Sequence, residues 1–549
     1  MLLILACTAP EFRPPDSTPP SDTAGDGPHA AERPVVPLAD AALFRRASLD
    51  VRGTLPTIAE LAALEPDPGA LEGRLDALLV DPAHEERLVD MFAERWNMRV
   101  DEVSLSSQRF DVDPLDEYGY LRSVEEEPLR LMARIGRSEL PWTDIVTADW
   151  TMADEMLGSL WPVAREAGDG WQVATYTDGR PANGVLATNG MWWRYATTPN
   201  NYNRTRAAAI SRLLLCEDYL ERPIRFEPAN LLARDDLLDA TRHEPTCVGC
   251  HSTLDPLAAA LFGFWNNDLF LIEEHVTYHP DREFLGAYYL GVEPAWYGAP
   301  LTAAADLGPM VAADDRFVAC TVETLAEALW RRDVDPVADF GVLQDLRTQF
   351  TEGELRLGPL IRAVLDTADY RAGTLTSDAT DADAESVQTR RLVPVQALSS
   401  AVADLTGFTW DREGWDQLDN DNHGFRTLAG DVDGESRTRP TSDPTGSRAL
   451  VMKRGAQSAA AAAVDADFAT DGERRLFGEV DTTDVPGSAP FDAQLLALHL
   501  RLYASVPDAD RLASDAALFS AAHAASGDTR AAWKTLLAGM LRDPAFWTY

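Results

Sequence analysis

Apolar residues recur at helical spacing along most of this chain. Leu43, Phe44, Ala47 and Val51 share one face of a helix that begins at Ala41 and stops at Gly53. Thr57, with Glu60 three residues on and Leu61 and Leu64 behind it, has the pattern of a capping box. Leu71 to Leu79 predicts a further amphipathic helix, and Asp81-Pro82 opens one that runs to about Trp96. Periodicity is strong again from Glu125 to Ile135, and Ala148-Asp149-Trp150-Thr151 is placed to cap a helix over Met152 to Leu160. Residues 170–205 break the pattern and read as irregular or weakly β, with turn signals at Asp178-Gly179 and Asn183-Gly184. Helices are predicted from Ala207 to about Tyr219, from Phe317 to Trp330, from Leu392 to Leu405 and from Leu450 to Phe468. The fold class is therefore mainly α, a multidomain helical protein with irregular loops.

One pattern occurs twice. The Leu55-Pro56-Thr57 turn and the later Asp81-Pro82 recur near the C-terminus, where Leu495 to Tyr503 precedes Val506-Pro507-Asp508 and Trp533 to Leu541 precedes Asp543-Pro544. Two copies of one helical module are expected to bracket the chain. Residues 371–390 are acidic and nearly free of large apolar side chains, which is the signal of a linker. The expected division is a leader and tether over 1–36, an N-terminal helical module over 37–145, a central domain over 146–370, the linker over 371–390 and a C-terminal helical module over 391–549. Asp419 to Gly424 has a weak likeness to a calcium loop, but the twelfth position is Gly430 instead of glutamate, so a plain loop is expected.

Composition narrows the function classes. With 45% hydrophobic residues and 14 Trp the chain is globular. Its 48 basic and 89 acidic residues give a formal charge of -41, which disfavours nucleic acid and anionic membrane surfaces as partners. A solubilising surface is the plain reading of that charge; steering of a basic redox partner is the other. Met1-Leu2-Leu3-Ile4-Leu5-Ala6-Cys7 is similar to the lipobox of bacterial lipoproteins, in which Cys7 would be lipidated, although no basic segment precedes it. Residues 8–36 are rich in Pro, Asp and Thr and read as a tether. Export is the expectation, to the outer membrane, the cell surface or the periplasm. Membrane attachment is expected only through the lipid, because no later segment has the apolar length of a span.

Chemistry concentrates at Cys247-Val248-Gly249-Cys250-His251. Two thiols three residues apart can each form a thioether with one haem vinyl group, and the following histidine can ligate the iron. One haem c is expected, with His251 as the proximal ligand. Asp255-Pro256 reads as the N-cap and N1 pair of a short helix through Phe264, and Phe262, Phe264 and Trp265 could form an apolar haem wall. A zinc site using His243 with His275 or His279, and a redox Cys-x-x-Cys, compete with this reading. For the distal position Met310, His275, His279 and an open site all stay open. Arg204 and Arg206, at a helix start, are candidates to hold a haem propionate. Cys216 and Cys320 are left as a pair and are expected to form a disulfide in an oxidising compartment, with two separate buried thiols as the alternative.

These motifs together resemble the planctomycete-type cytochrome c proteins, large secreted proteins with several helical modules around one haem segment. That segment typically reads Cys-x-x-Cys-His-x-x-x-Asp-Pro and then an apolar run, matched here by Cys247 to His251, Asp255-Pro256 and Leu257 to Trp265. Arg45-Arg46-Ala47, Leu55-Pro56-Thr57, Ala148-Asp149-Trp150-Thr151, Asn183 to Arg206, Leu213 to Cys216 and Phe317 to Leu329 resemble the flanking modules. The likeness covers most of 40–335 and, more weakly, 390–549. The chain departs from the family at Ala258 to Ala260, where glycine is usual, and over 270–300, which reads as an insertion. The resemblance implies haem and export without naming a reaction. Single-electron transfer to an unidentified redox partner protein is the expectation. A haem-dependent oxidoreductase with an open sixth position, and a cell-surface scaffold or binding protein, are the rivals. No Ser-His-Asp, P-loop or His-Glu-x-x-His arrangement points to a hydrolase, and no catalytic residue is identified.

Overall fold

A computed structural model describes residues 33–64, 69–100, 117–222, 237–265, 276–412, 415–420, 424–469 and 474–549. Cys7, almost all of the expected tether, His275 and the centre of the calcium-like loop lie outside the described residues. The protein is mainly α: among the described residues, 24 α-helices stand against nine strands of two to five residues.

Local signals account for many of the helix ends. Thr57 forms a complete capping box with Glu60 at the start of the Ile58–Ala62 helix. Asp81 accepts from the Ala83 amide at 2.9 Å, and Asp543 accepts from Ala545 at 3.0 Å, so the two Asp-Pro steps cap the Ala83–Arg95 and Pro544–Trp547 helices alike. The hairpins before them also match. Gly53 and Ala504 follow the Asp40–Val51 and Ala489–Tyr503 helices in the left-handed region, and Asp508 takes the capping place of Thr57. The two copies face each other, with Arg501 donating to the Pro56 carbonyl at 2.6 Å.

Buried apolar side chains fall into two principal cores. The larger runs from Leu43 to Tyr370 and takes in Ala504, and the smaller is built from residues 392–547 with Leu49 and Leu55. The larger takes residues from both sides of the expected 145/146 boundary, since Leu129 to Ile135 pack in one cluster with Val185 to Tyr195 and Leu254 to Trp265. Residues 371–390 do lie between the two cores, but they are structured. Ala372–Leu375 pairs antiparallel with Val35–Pro37, Asp381–Ser386 is a capped helix, and Arg391 just beyond them is buried. The Asp40–Val51 helix serves both cores, because Leu43, Phe44, Ala47 and Val51 enter one and Leu49 enters the other.

Residues 151–176 correct the expected helix at Met152. Thr151–Ala153 is a buried strand at the edge of a three-stranded antiparallel sheet whose centre is Gln172–Tyr176, with Val163–Arg165 on the far side. The helix starts only at Glu155, capped by Asp154. The reason lies in the neighbouring Glu117–Gly136 helix. Glu125, Glu126 and Glu127, which periodicity alone would leave in water, are all buried there. Glu127 accepts from the Thr151 hydroxyl at 3.0 Å, the Tyr176 hydroxyl at 2.6 Å and the Gly190 amide at 2.9 Å, so it ties two strands of the sheet to the helix. Gly190 has no alternative at this crossing, because a Cβ would lie 2.1 Å from the Val124 carbonyl oxygen.

Burial pushes the Glu127 carboxyl up to about 7. Its neighbour Glu126 is also desolvated, but Arg99, Arg122 and Arg130 outweigh that and hold it at about 2. A group with a raised folded value contributes stability that is complete below its unfolded value and is lost as pH rises through the folded one. Burial also raises Asp90 to about 6, with the same sign, whereas His84, depressed to about 4 by burial, acts only below its ordinary value of 6.5. The melting temperature should therefore fall between about pH 4.5 and about pH 7, where Glu127 and Asp90 together outweigh the opposing His84, and Glu127→Gln should flatten that slope in thermal melts across the range. A pH-independent melt over this window would contradict the assignment.

Candidate functional site

Pro245, at the first helical position, starts the helix that carries the cysteine–histidine motif. This Pro245–Ala259 helix runs on without interruption through Asp255-Pro256, which corrects the expectation of a second helix starting there. Pro256 removes one intrahelical donor, but Leu254, Leu257, Ala258 and Ala259 are buried on either side, and that packing keeps the helix continuous. At 3.6 residues per turn, Cys247, Cys250 and His251 face one side. Both thiols are free and half-buried, and Cys250 packs against the larger core.

Asp255 has a different role from a cap. It is 2% exposed and receives both Arg204 Nε at 2.7 Å and Arg204 Nη2 at 2.8 Å, one on each carboxylate oxygen. Its Oδ1 also lies 2.8 Å from His251 Nδ1, one helical turn back. Burial alone would raise the Asp255 carboxyl, but the hydrogen bonds from Arg204 and His251 outweigh it and hold the group below the ordinary carboxylate range. An ionised carboxylate only accepts, so the proton of a neutral His251 sits on Nδ1 and the lone pair on Nε2. His251 is partly exposed, and Nε2 has no hydrogen bond among the described residues. The sequence signal for this contact was present in the four-residue spacing of His251 and Asp255.

Arg204 is held in place locally. Asn203 adopts the left-handed conformation and sets the start of the Arg204–Leu215 helix, whose Thr205 amide is bonded to Asn201 Oδ1 at 2.8 Å. Of the two arginines expected to meet a propionate, Arg204 is thus committed to Asp255. Arg206 is buried at 3% exposure and donates to the carbonyls of Phe264, Trp192 and Tyr195. Arg206 is a packing group that ties its own helix to the segments on either side.

The helix begins three residues earlier than expected and ends at Leu215, with Cys216 in the left-handed region. There Cys216 is joined to Cys320 of the Asp315–Trp330 helix, with the Cα atoms 5.2 Å apart. Met310 lies on the Leu307–Ala312 helix, which packs against Asp144–Thr147, while the motif helix packs on Arg204–Leu215, Leu237–His243 and Leu285–Leu290. His279 is half-buried just before a 3-10 turn, its amide bonded to the Gly263 carbonyl at 2.8 Å. His243 is exposed at the end of the Leu237–His243 helix. Among the described residues no group of three His, Cys, Asp or Glu side chains is arranged to hold a metal ion.

The expected apolar wall is divided. Trp265 meets Phe262 edge-on at 4.4 Å between ring centres, and Tyr289 and Tyr202 join it at 5.0 and 5.8 Å. Phe264 turns the other way, to Trp192 and Tyr278. Tyr202 and Tyr289 were not singled out in the sequence, because neither belongs to the apolar run after the motif. Tyr202 also places the cluster beside the Arg204 guanidinium, 5.9 Å from its ring centre.

The donor set has the chemistry that covalent haem attachment requires. Two unbridged thiols stand on one helical turn beside an imidazole whose second nitrogen is fixed by a carboxylate. Comparison with protein-family models, curated proteins and solved structures found no match for the chain. Non-reducing peptide mapping should recover Cys216 and Cys320 as one linked peptide, with Cys247 and Cys250 absent from any disulfide; a 247–250 bridge in the purified protein would contradict this assignment.

Proposed function

We propose that this chain is an exported, lipid-tethered protein that holds one haem c through Cys247, Cys250 and His251 and exchanges single electrons with a redox partner protein. The likeness of Cys247 to Trp265 to the haem segment of planctomycete-type cytochrome c proteins belongs to the same proposal. One observation carries it: the Arg204–Asp255–His251 chain of hydrogen bonds orients an imidazole beside two free thiols. When bound, the haem would supply a one-electron iron couple.

The remaining roles belong to the protein's own residues. Cys247 and Cys250 provide the thioether anchors, and His251 Nε2 provides the ligand. Asp255 accepts the Nδ1 proton, which fixes the tautomer and ring orientation and makes the imidazole a stronger donor. Arg204 keeps Asp255 ionised in a buried position, where an unpaired carboxylate would be costly. A more strongly donating ligand stabilises the oxidised metal, so the arrangement biases the couple toward lower potential.

Co-expression with a haem-maturation system should yield a coloured protein whose haem resists acid–acetone extraction. Recovery of a colourless protein with bound zinc would overturn the proposal. Asp255→Asn keeps the shape of the side chain but removes its charge. The covalent haem content should then stay unchanged while the midpoint potential moves positive, as read by spectroelectrochemical titration. An unchanged potential would show that Asp255 serves packing alone.

A further inference from the structure

A polar cavity of about 190 Å³ opens where the end of the Ala83–Arg95 helix, the Cys216–Cys320 bridge and residues 438–440 meet. It is remote in composition from the cysteine–histidine motif and shares no lining residue with it. Its volume is well above the ~30 Å³ that one water occupies in the liquid.

The cationic side chains around it are already engaged. Arg95 pairs with Glu327 at 3.2 Å, Arg439 with Asp333 at 2.7 Å, and Arg212 donates to the Tyr195 hydroxyl at 3.1 Å. What is left unsatisfied is acceptor capacity. Asn97 lines the cavity, is 2% exposed, and its Oδ1 is buried without a hydrogen-bond donor. Glu323, on the Asp315–Trp330 helix, makes no ion pair or hydrogen bond among the described residues. Burial first, then the like charge of Glu327, pushes its carboxyl up to about 7 even though the Arg439 guanidinium pulls the other way, because Arg439 is itself paired with Asp333. Arg95 Nε also lacks a hydrogen bond, but it lies 3.8 Å from Glu94 Oε1 inside an ion pair.

We propose that this cavity binds a small organic cation bearing a primary ammonium group, with Glu323 as its counter-charge and Asn97 Oδ1 as a hydrogen-bond acceptor. A bare metal ion fits less well, because the carboxylates here do not converge as a metal-binding set. An ammonium needs no such convergence. It takes two or three acceptors at ordinary hydrogen-bond distance, and the cavity leaves that number open. The proposal is independent of the haem reading, since none of these residues belongs to that site.

Calorimetric titration of the full chain with 1,4-diaminobutane tests it. Saturable one-to-one binding is expected, weakened about tenfold or more by Glu323→Gln and less by Asn97→Ala, with 1-butanol giving no saturable heat. Melting curves of both variants establish that they fold, and if Glu323→Gln does not, Asn97→Ala carries the comparison. No saturable heat up to about 10 mM diamine would overturn the proposal. So would undiminished binding by folded Glu323→Gln, or displacement of the diamine by an equal concentration of calcium chloride.

Discussion

Asp50 is the point on which the assembly of the two cores depends. It is 2% exposed and accepts hydrogen bonds from the Tyr370 hydroxyl at 2.9 Å and from the hydroxyl of Tyr549, the last residue of the sequence. One turn earlier, Arg46 donates to the carbonyls of Tyr370 and Ala372, and Arg45 donates to those of Leu502, Phe546 and Thr548. Arg391 completes the group by reaching the carbonyls of Leu329 and Asp369. Residues 45–50 of this helix therefore join segments more than 450 residues apart. Burial pushes Arg45 down to about 10 and Arg391 to about 9, and both stay charged at neutral pH. Guanidinium suits this task because five donors in a rigid plane can serve several carbonyl groups at once. Replacing any one arginine would leave buried carbonyls without donors, a cost of about 1–3 kcal/mol for each group.

How much of this could be read from the chain follows from the range of each interaction. The capping box at Thr57, the Asp-Pro steps at Asp81 and Asp543 and the duplicated hairpin are local, so residue spacing alone predicted them. Residues 371–390, which have few large apolar side chains, contribute no member to either core, yet they form a paired strand and a capped helix. Charged residues in the interior were not legible. Glu125 to Glu127 look like a solvated run with Arg122 and Arg130 at i,i+4 spacing from Glu126, until Arg99 and the Tyr176 hydroxyl are brought to them from elsewhere in the chain. Arg45 and Arg46 are equally silent, since nothing in an amphipathic pattern marks an arginine whose partners are distant carbonyls. The same limit explains Asp255. Read locally, an Asp before a Pro is a cap; only the arrival of Arg204, 51 residues upstream, makes it a buried acceptor.

The candidate site inherits its rigidity from one short helix. Arg204–Leu215 is held at its first residue by the ion pair to Asp255 and just past its last by the Cys216–Cys320 bridge. The motif helix packs against it on one side and the Asp315–Trp330 helix on another. Movement of the motif helix relative to Arg204–Leu215 would have to break the part-buried two-point salt bridge between Arg204 and Asp255. The imidazole is thus positioned by the fold before any ligand arrives, which is the condition under which a ligand's orientation is set by the protein.

That rigidity also bears on the choice among the proposed roles. A protein that only displayed helical modules would have no use for a buried carboxylate shared with a histidine at this point. Asp255 is withdrawn from water, satisfied by a guanidinium, and then shared with a half-exposed histidine whose other nitrogen makes no hydrogen bond among the described residues. A purely structural Arg–Asp pair would be complete without His251, and a purely structural histidine would bury both nitrogens, as His84 does with its ring 2% exposed. The oriented imidazole and the two unbridged thiols on the same turn are the physical ground on which the proposal of a covalently held haem rests.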